Sequence, residues 1–475
     1  MALKVIAHRI AVPSFTLTET CQRSVPNAIQ RIIPSGKDAV TTYYFRPVLA
    51  VASRRLSYNS FQFVIESDGA PWRVACLYLL SRLTTAAQST KTYISIADDL
   101  AAFRNFLDQE RIDYGSFPRF KPLRPTYRYR GYLQTKTRAG ELAPTSAKRR
   151  MQSVVGFYRW LISQGTITPE YPAWVEGDAF IEFTGSYGQR LHKMVKTTDV
   201  SIKVSKQHDL FDGTIEDGGK LKPLTIEEQE TLVRTLLDLG NTEMMLIHLV
   251  ALFTGARIQT VLTLKVRHVR SEFSKGAKEV RLKCGPGTGV DTKFGKAQIL
   301  FFPRWLYERL RTYSYSDRSI SRRKKSAKGD CVDAYLFLSA QGNPYYQDLS
   351  ETQQFDPSRR QRYEASGAAI RVFICDRVLP ALRQVLGEEF HYQFHDLRAT
   401  FGMNLTDAML KAVERGEMTL HQAREFVKSR MNHQSSATTD RYLQYRTNHR
   451  FTRQTQASYE AHLQQLVELA NSDRA

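Results

Sequence analysis

Five side chains in the C-terminal half of the chain are suited to chemistry on a phosphodiester. They are Arg257 in Thr254-Gly255-Ala256-Arg257, His395 and Arg398 in His395-Asp396-Leu397-Arg398, His433 after Met431-Asn432, and Tyr442, nine residues beyond His433. A phosphodiester is an anion and repels a nucleophile. Catalysis must therefore neutralise its non-bridging oxygens as charge builds on a pentacoordinate phosphorus. Guanidinium does this well, being always charged and offering a bidentate fork, and Arg257 and Arg398 lie on separate segments that could clamp one phosphate. His395 and Arg398 are three residues apart and share a face if that segment is helical. Phe394, Leu397, Phe401 and Leu405 would anchor the helix. A tyrosine with a pKa near 10 is only about 0.1% phenolate at pH 7, so it needs a neighbouring base and positive charge. Tyr442 is the candidate nucleophile and Tyr445 the rival hydroxyl.

In this order the two arginines, two histidines and tyrosine resemble the catalytic set of the tyrosine recombinases, the phage-integrase family. The resemblance is strongest over residues 222–445. It implies cleavage and rejoining of DNA strands through a 3′-phosphotyrosine, with a free 5′-hydroxyl as the other product. His395 would assist proton transfer or hydrogen-bond the phosphate. A lysine on a strand–turn–strand between the arginines would protonate the leaving 5′-oxygen. Val280–Lys283 and Ala297–Phe302 read as those strands. Of Lys293 and Lys296 in the turn, Lys293 is the better match by its place after Thr292.

Two positions depart from the family pattern. Thr260 stands where an acidic residue usually orients the first arginine. Asn432 stands where glycine is usual, a mild change because Asn tolerates the left-handed conformation. The implied fold is mainly α with a small β-sheet. A helical core-binding domain and a mixed α/β catalytic domain would close as a clamp on DNA. The implied partner is double-stranded DNA, bound by a homotetramer in the synaptic complex, with DNA-bending accessory proteins as further candidates. No cofactor and no metal is expected, because arginines take the cation's place and the phosphotyrosine ester stores the bond energy.

Composition agrees with a polyanionic partner. At 475 residues the chain is too long for one typical core, and 42% hydrophobic residues suffice to build two or three. A formal net charge of +21 favours nucleic acid. The N-terminus lacks the apolar stretch of a signal peptide, and the longest apolar run, Met244–Phe253, is too short to span a membrane. The five cysteines show no paired spacing, which speaks against a zinc site or disulfide framework and fits a reducing cytoplasm, with the protein on the nucleoid.

Along the chain, residues 1–70 read as an N-terminal extension with some strand and an open role. Residues 71–168 read as the helical core-binding domain, with Ile96, Leu100, Phe103 and Leu107 in one buried stripe. Basic and aromatic residues alternate from Arg124 to Arg138, and a second basic cluster opens the next helix. Arg128, Arg130, Lys148, Arg149 and Arg150 are the candidate DNA contacts here. Residues 169–221, ending Asp217-Gly218-Gly219, read as a linker with an insertion. Thr225 and Glu228 form a capping box that opens the catalytic domain, 222–450. Arg322, Arg323 and Lys324 fall in a basic patch, Arg318–Lys328, read as an exposed loop that touches phosphate or is simply solvated. Residues 451–475 form a helix-prone tail that docks on a neighbouring subunit or packs in cis. The Gly-rich run Gly285–Gly289 is not a phosphate-binding loop, since Ala297 stands where a Ser or Thr would bind magnesium.

Two other readings remain. One is a topoisomerase with the same chemistry, which would need no defined site or synapsis. The other is a DNA-binding accessory protein whose catalytic set has decayed. An RNA-binding protein ranks below both, since no RNA-recognition motif is visible.

Overall fold

The computed structural model describes residues 6–21, 29–34, 40–47, 57–85, 90–184, 190–204, 213–273, 276–348, 365–447, 460 and 463–464. The chain divides into two compact units at residues 207/208. Its architecture is mainly α with small two- and three-stranded sheets, as expected. Among the described residues no helix is long and apolar enough to cross a membrane.

In the first unit β1 (His8–Thr16) pairs antiparallel with β5 (Ser57–Ile65), and β2 (Thr18–Cys21), β4 (Val40–Pro47) and β3 (Ile29–Pro34) form a second sheet in the order β2-β4-β3. Helices α1 (Arg73–Thr85), α2 (Thr90–Glu110), α3 (Pro125–Arg138) and α4 (Pro144–Ser163) follow. Proline opens both α3 and α4, where its missing N–H would have no partner anyway. The predicted stripe Ile96, Leu100, Phe103 and Leu107 is buried, and on α4 both Phe157 and Tyr158 face the core with Leu161. Tyr58, Phe61 and Val64 of β5 join that same core, so this strand completes the helical unit. Beyond α4, which ends near Gly165 in a left-handed turn, β6 (Glu176–Thr184) and β7 (Arg190–Thr198) form a hairpin.

The second unit opens on β8 (Ile215–Glu216) and β9 (Lys220–Leu221), a short hairpin closed by Asp217-Gly218-Gly219. Helix α5 (Ile226–Asp238) begins with the predicted capping box. Helix α6 (Thr242–Thr254) is buried almost all round, and side chains such as Ile247 and Val250 each contribute about 1.5–3 kcal/mol. It ends at Gly255 with φ of 65°. A Cβ at that residue would lie 2.5 Å from Phe401 Cδ1, so glycine is required on two counts. Short helices α7 (Ile258–Leu262) and α8 (Val266–Arg270) lead to the antiparallel hairpin of β10 (Glu279–Cys284) and β11 (Gln298–Pro303). Then come α9 (Arg304–Tyr315), α10 (Asp317–Lys325), α11 (Ala368–Phe373), α12 (Leu379–Leu386), α13 (Asp396–Glu414) and α14 (Leu420–Met431). Residues 436–447 form a further helix, α15.

Helix α10 corrects the expectation of an exposed loop. Ser316 caps it by accepting the Ser319 amide. Its arginines are engaged by two carboxylates. Glu243, fully buried at the start of α6, binds Arg318 and Arg322 and accepts the Tyr313 hydroxyl. Asp330 binds Arg323, whose side chain is 1% exposed. The tail at 451–475 lies outside the described residues except for positions 460, 463 and 464.

Candidate active site

Three helix ends deliver the arginines and histidines. Arg257 follows the Gly255 cap of α6 and precedes α7. Arg398 lies in the first turn of α13 and is buried. Its Nη1 donates to the Gly255 carbonyl at 2.8 Å and its Nη2 to the Met431 carbonyl at 2.6 Å. These bonds satisfy carbonyls at the C-terminal ends of α6 and α14 and leave Nε pointing into the site. The start of α13 is itself fixed. The Asp396 carboxylate accepts the Lys222 amide at 3.0 Å, and Thr400 Oγ1 accepts the Leu224 amide at 2.9 Å. His395 is the residue before this helix, and its ring lies beside the Asp217 backbone.

Asn432 ends α14 in the left-handed conformation, φ 51° and ψ 44°, as its residue type allows. The turn places His433 with Nδ1 3.0 Å from Thr439 Oγ1 and Nε2 3.3 Å from Asp217 Oδ2. Tyr442 comes from α15. Its ring is fully buried among Ile215, Met403, Val427 and Met431, and its hydroxyl donates to Asp217 Oδ2 at 3.2 Å. Tyr445 packs at the edge of the same cluster, and the hydroxyl that reaches Asp217 is that of Tyr442.

Asp217 is the residue that sequence reasoning missed. It sits in the β8–β9 turn, within the segment read as linker, and is 4% exposed. Arg398 Nε donates to its Oδ2 at 2.7 Å, and Arg257 Nη2 lies 3.6 Å from its Oδ1. Burial acts to raise this carboxyl. The His433 hydrogen bond and the charges of Arg398, His433 and Arg257 outweigh burial and hold it well below the usual carboxylate range. The same contacts act on its partners. Burial, then the Asp217 charge, pushes the Tyr442 phenol well above its ordinary value. Burial and the charges of Arg398 and Arg257 lower His395 to about 4, so this imidazole is neutral at pH 7 and able to accept a proton. His433 is lowered too, by burial first, against the opposing pull of Asp217.

Lys293 lies in the short turn between β10 and β11, braced by Thr292 Oγ1 donating to the Lys296 carbonyl at 2.6 Å. Its Nζ would stand 3.0 Å from a Cβ on Gly218, which brings it beside the Asp217 turn. Lys293 and Lys296 both line a cleft of about 520 Å³ with Arg257, Lys428, His433 and Glu425. The structure therefore brings Arg257, Lys293, His395, Arg398, His433 and Tyr442 to one place, around a carboxylate.

The candidate DNA contacts are less uniform. In the first unit Lys148 is exposed, Arg128 pairs with Glu110 at 2.5 Å, and Arg149 pairs with Asp99 at 2.7 Å. Arg150 is 4.0 Å from the same Asp99, and Arg130 Nε is buried with no hydrogen-bond partner among the described residues. In the second unit Lys324 is exposed, while Arg322 and Arg323 are engaged by Glu243 and Asp330 and are not free to meet a phosphate.

No family model matches the chain, and no curated protein matches it. Among solved structures it is similar to the integrase of transposon Tn1549 in complex with transposon right-end DNA, at 15% identity over 78% of this chain and 94% of that one, with a TM-score of 0.42. It is similar to the XerH site-specific recombinase bound to its difH substrate, at 14% identity over 78% and 85%, with a TM-score of 0.42. A lambda integrase tetramer bound to a Holliday junction aligns at 14% identity over 78% and 76%, with a TM-score of 0.41.

Proposed function

We propose that this chain is a tyrosine-type site-specific DNA recombinase. The observation that carries the reading is the convergence of Tyr442, Arg398, Arg257 and His433 on one anion, the Asp217 carboxylate. A set of groups that gathers round a carboxylate can gather round a phosphodiester. The family resemblance of the sequence names Tyr442 as the nucleophile, and its hydroxyl is one of these donors.

The reaction follows from the residues. Arg398 is fixed by two backbone carbonyls, so it meets the phosphate with little reorganisation, which is where preorganised charge is most effective. Arg257 neutralises a second non-bridging oxygen. The Tyr442 oxygen attacks phosphorus and its proton passes to the neutral His395. The bond from phosphorus to the 5′-oxygen breaks, its electron pair stays on that oxygen, and Lys293 supplies the proton. This leaves a 3′-phosphotyrosine and a 5′-hydroxyl. An incoming 5′-hydroxyl reverses the step, so exchange between two DNA sites needs no external energy. Four protomers acting in pairs, DNA-bending helpers, a nucleoid location and service to a mobile element belong to the same proposal. Lys148, Arg128, Arg130, Arg149, Arg150 and Lys324 are proposed DNA contacts.

Covalent trapping tests the reading. Nicked, labelled duplexes tiled across the DNA flanking the gene are incubated with wild type and with Tyr442→Phe, then run on denaturing gels. A shifted band in wild type alone is the expected result. An adduct that survives Tyr442→Phe refutes the assignment, and tight sequence-specific binding without any adduct replaces it with the accessory-protein reading.

A further inference from the structure

The Asp217 carboxylate lies where the proposed reaction needs a phosphate. Its Oδ2 receives Arg398 Nε at 2.7 Å, the Tyr442 hydroxyl at 3.2 Å and His433 Nε2 at 3.3 Å, and its Oδ1 faces Arg257 at 3.6 Å. Both clamps, one imidazole and the nucleophile are thus already committed to an anion. A carboxylate and a phosphodiester offer guanidinium the same feature, two oxygens sharing one negative charge. Only one of them can occupy this seat. A near-attack geometry requires phosphorus within about 3–3.5 Å of the nucleophile, and that space beside the Tyr442 oxygen is held by Asp217.

The fit of the carboxylate is incomplete in a way that a phosphate would remedy. Arg257 Nε is buried with no hydrogen-bond partner among the described residues. A buried unpaired donor is costly, because it has given up water without gaining an acceptor. A phosphodiester is larger than a carboxylate and carries further oxygens, so it can give that donor an acceptor. The strand pairing behind Asp217 is short, although Arg441 ties its hairpin to α15. Asp217 stands in a hairpin whose strands are two residues each, and its amide closes the turn onto the Gly219 carbonyl at 3.0 Å. The cleft lined by Arg257, Lys293, Lys296, Lys428 and His433 opens beside it and offers an anionic strand a place to arrive.

We propose that Asp217 is a built-in surrogate for the scissile phosphate: it keeps the unbound site closed, and DNA must displace it before Tyr442 can react. This regulation rests on the reading of Tyr442 as nucleophile. Displacement lowers the apparent affinity for the phosphate by the fraction of molecules in which the seat is empty, so removing the charge at Asp217 should raise it.

The test uses the full chain as wild type and as Asp217→Asn, which keeps the size and removes the charge. Binding of inorganic phosphate is measured by calorimetry, and adduct formation with a nicked duplex is followed in parallel. At least tenfold tighter phosphate binding and at least tenfold faster adduct formation at limiting duplex are expected of Asp217→Asn. A carboxylate that permanently braces the arginines gives the opposite, weaker phosphate and a slower adduct. Either that or unchanged phosphate binding overturns the proposal. If the variant fails to fold, Tyr442→Phe decides through amide hydrogen exchange. Residues 215–221 should exchange faster once duplex is bound, and equal or slower exchange overturns the proposal. If no adduct forms with any protein, the nucleophile reading falls, while the phosphate measurement still decides the role of Asp217.

Discussion

A single methyl group at Gly402 should disable Tyr442. Gly402 lies in α13 with ordinary helical backbone, so alanine there would normally stabilise the helix by about 1 kcal/mol. Its added Cβ, however, would overlap Cε1 of the Tyr442 ring and lie 3.0 Å from Cδ1 and 2.9 Å from Met431 Cε. The methionine end can swing away. The ring cannot, because it is fully buried and walled by Ile215, Met403, Val427 and Met431. Overpacking of this kind costs roughly 1–3 kcal/mol, so Gly402→Ala should be destabilised by about 1 kcal/mol net after the helix gain. The functional effect should be larger than the stability effect. A displacement near 1 Å of a reacting group can cost about a hundredfold in rate. The assays are denaturant unfolding of the full chain and the rate of covalent adduct formation on a nicked duplex. A variant that is more stable than wild type by about 1 kcal/mol, with an unchanged adduct rate, would show that the ring does not pack on this face and would refute the placement of Tyr442.

Glu243→Ala should destabilise the protein by about 3 kcal/mol, near the low end for breaking a buried ion pair, because Arg318 keeps partial access to water; urea unfolding checks this, and a loss under 1 kcal/mol would mean that α10 is held by other contacts. Stability should also fall in mild acid through His248, which is 1% exposed, donates through Nδ1 to the Met244 carbonyl and accepts the Tyr392 hydroxyl at Nε2. Burial lowers its pKa from 6.5 to about 4, so the unfolded chain binds more protons between those values. Its contribution is complete above pH 6.5 and is lost as pH falls towards 4, amounting to about 2 kcal/mol by pH 5. Unfolding midpoints at pH 7 and pH 5 should differ less in His248→Gln than in wild type, and equal differences would reject the assignment.

The parts of the site that were legible in the sequence are those set by local rules. The Thr225 capping box, the apolar run that becomes α6, and the left-handed Asn432 each follow from a few adjacent residues, and the structure has all three. The spacing from His433 to Tyr442 is local too, since one turn and one helix span it. The misread parts depend on partners far along the chain. The Arg318–Lys328 patch looked like an exposed loop, touching phosphate or solvated, because its counter-charge, Glu243, lies 75 residues from Arg318. Asp217 precedes Arg398 by 181 residues, in an Asp-Gly-Gly turn whose composition signals only a reversal of the chain. Nothing in its neighbours distinguishes it from the other 46 acidic residues, 47 in all less itself. A usable signal was the deficit elsewhere: two arginines and two histidines brought together require a negative partner, and Thr260 cannot provide one.

That deficit bears on how the site works. Thr260 is buried in α7, one turn from Arg257, and a carboxylate at that position would be a fixed neighbour of the guanidinium, carried on the same rigid element. Here the counter-charge arrives instead on the β8–β9 hairpin, a separate element that precedes Arg257 in the sequence. The hairpin is tied to the helix of the proposed nucleophile as well, since Arg441 donates to the Glu216 carbonyl at 2.7 Å, one residue before Asp217 and one before Tyr442. A withdrawal of Asp217 must therefore strain or break a contact that helps to hold α15. Besides the Tyr442 hydrogen bond to Asp217, Arg441 is a further link between the hairpin that carries the carboxylate and the helix that carries Tyr442. Loss of that link should make displacement easier and the position of Tyr442 less exact, two effects of opposite sign on the rate. Which of them dominates depends on whether closure of the site or aim of the hydroxyl limits the reaction, and the Asp217→Asn rate answers the first half of that question.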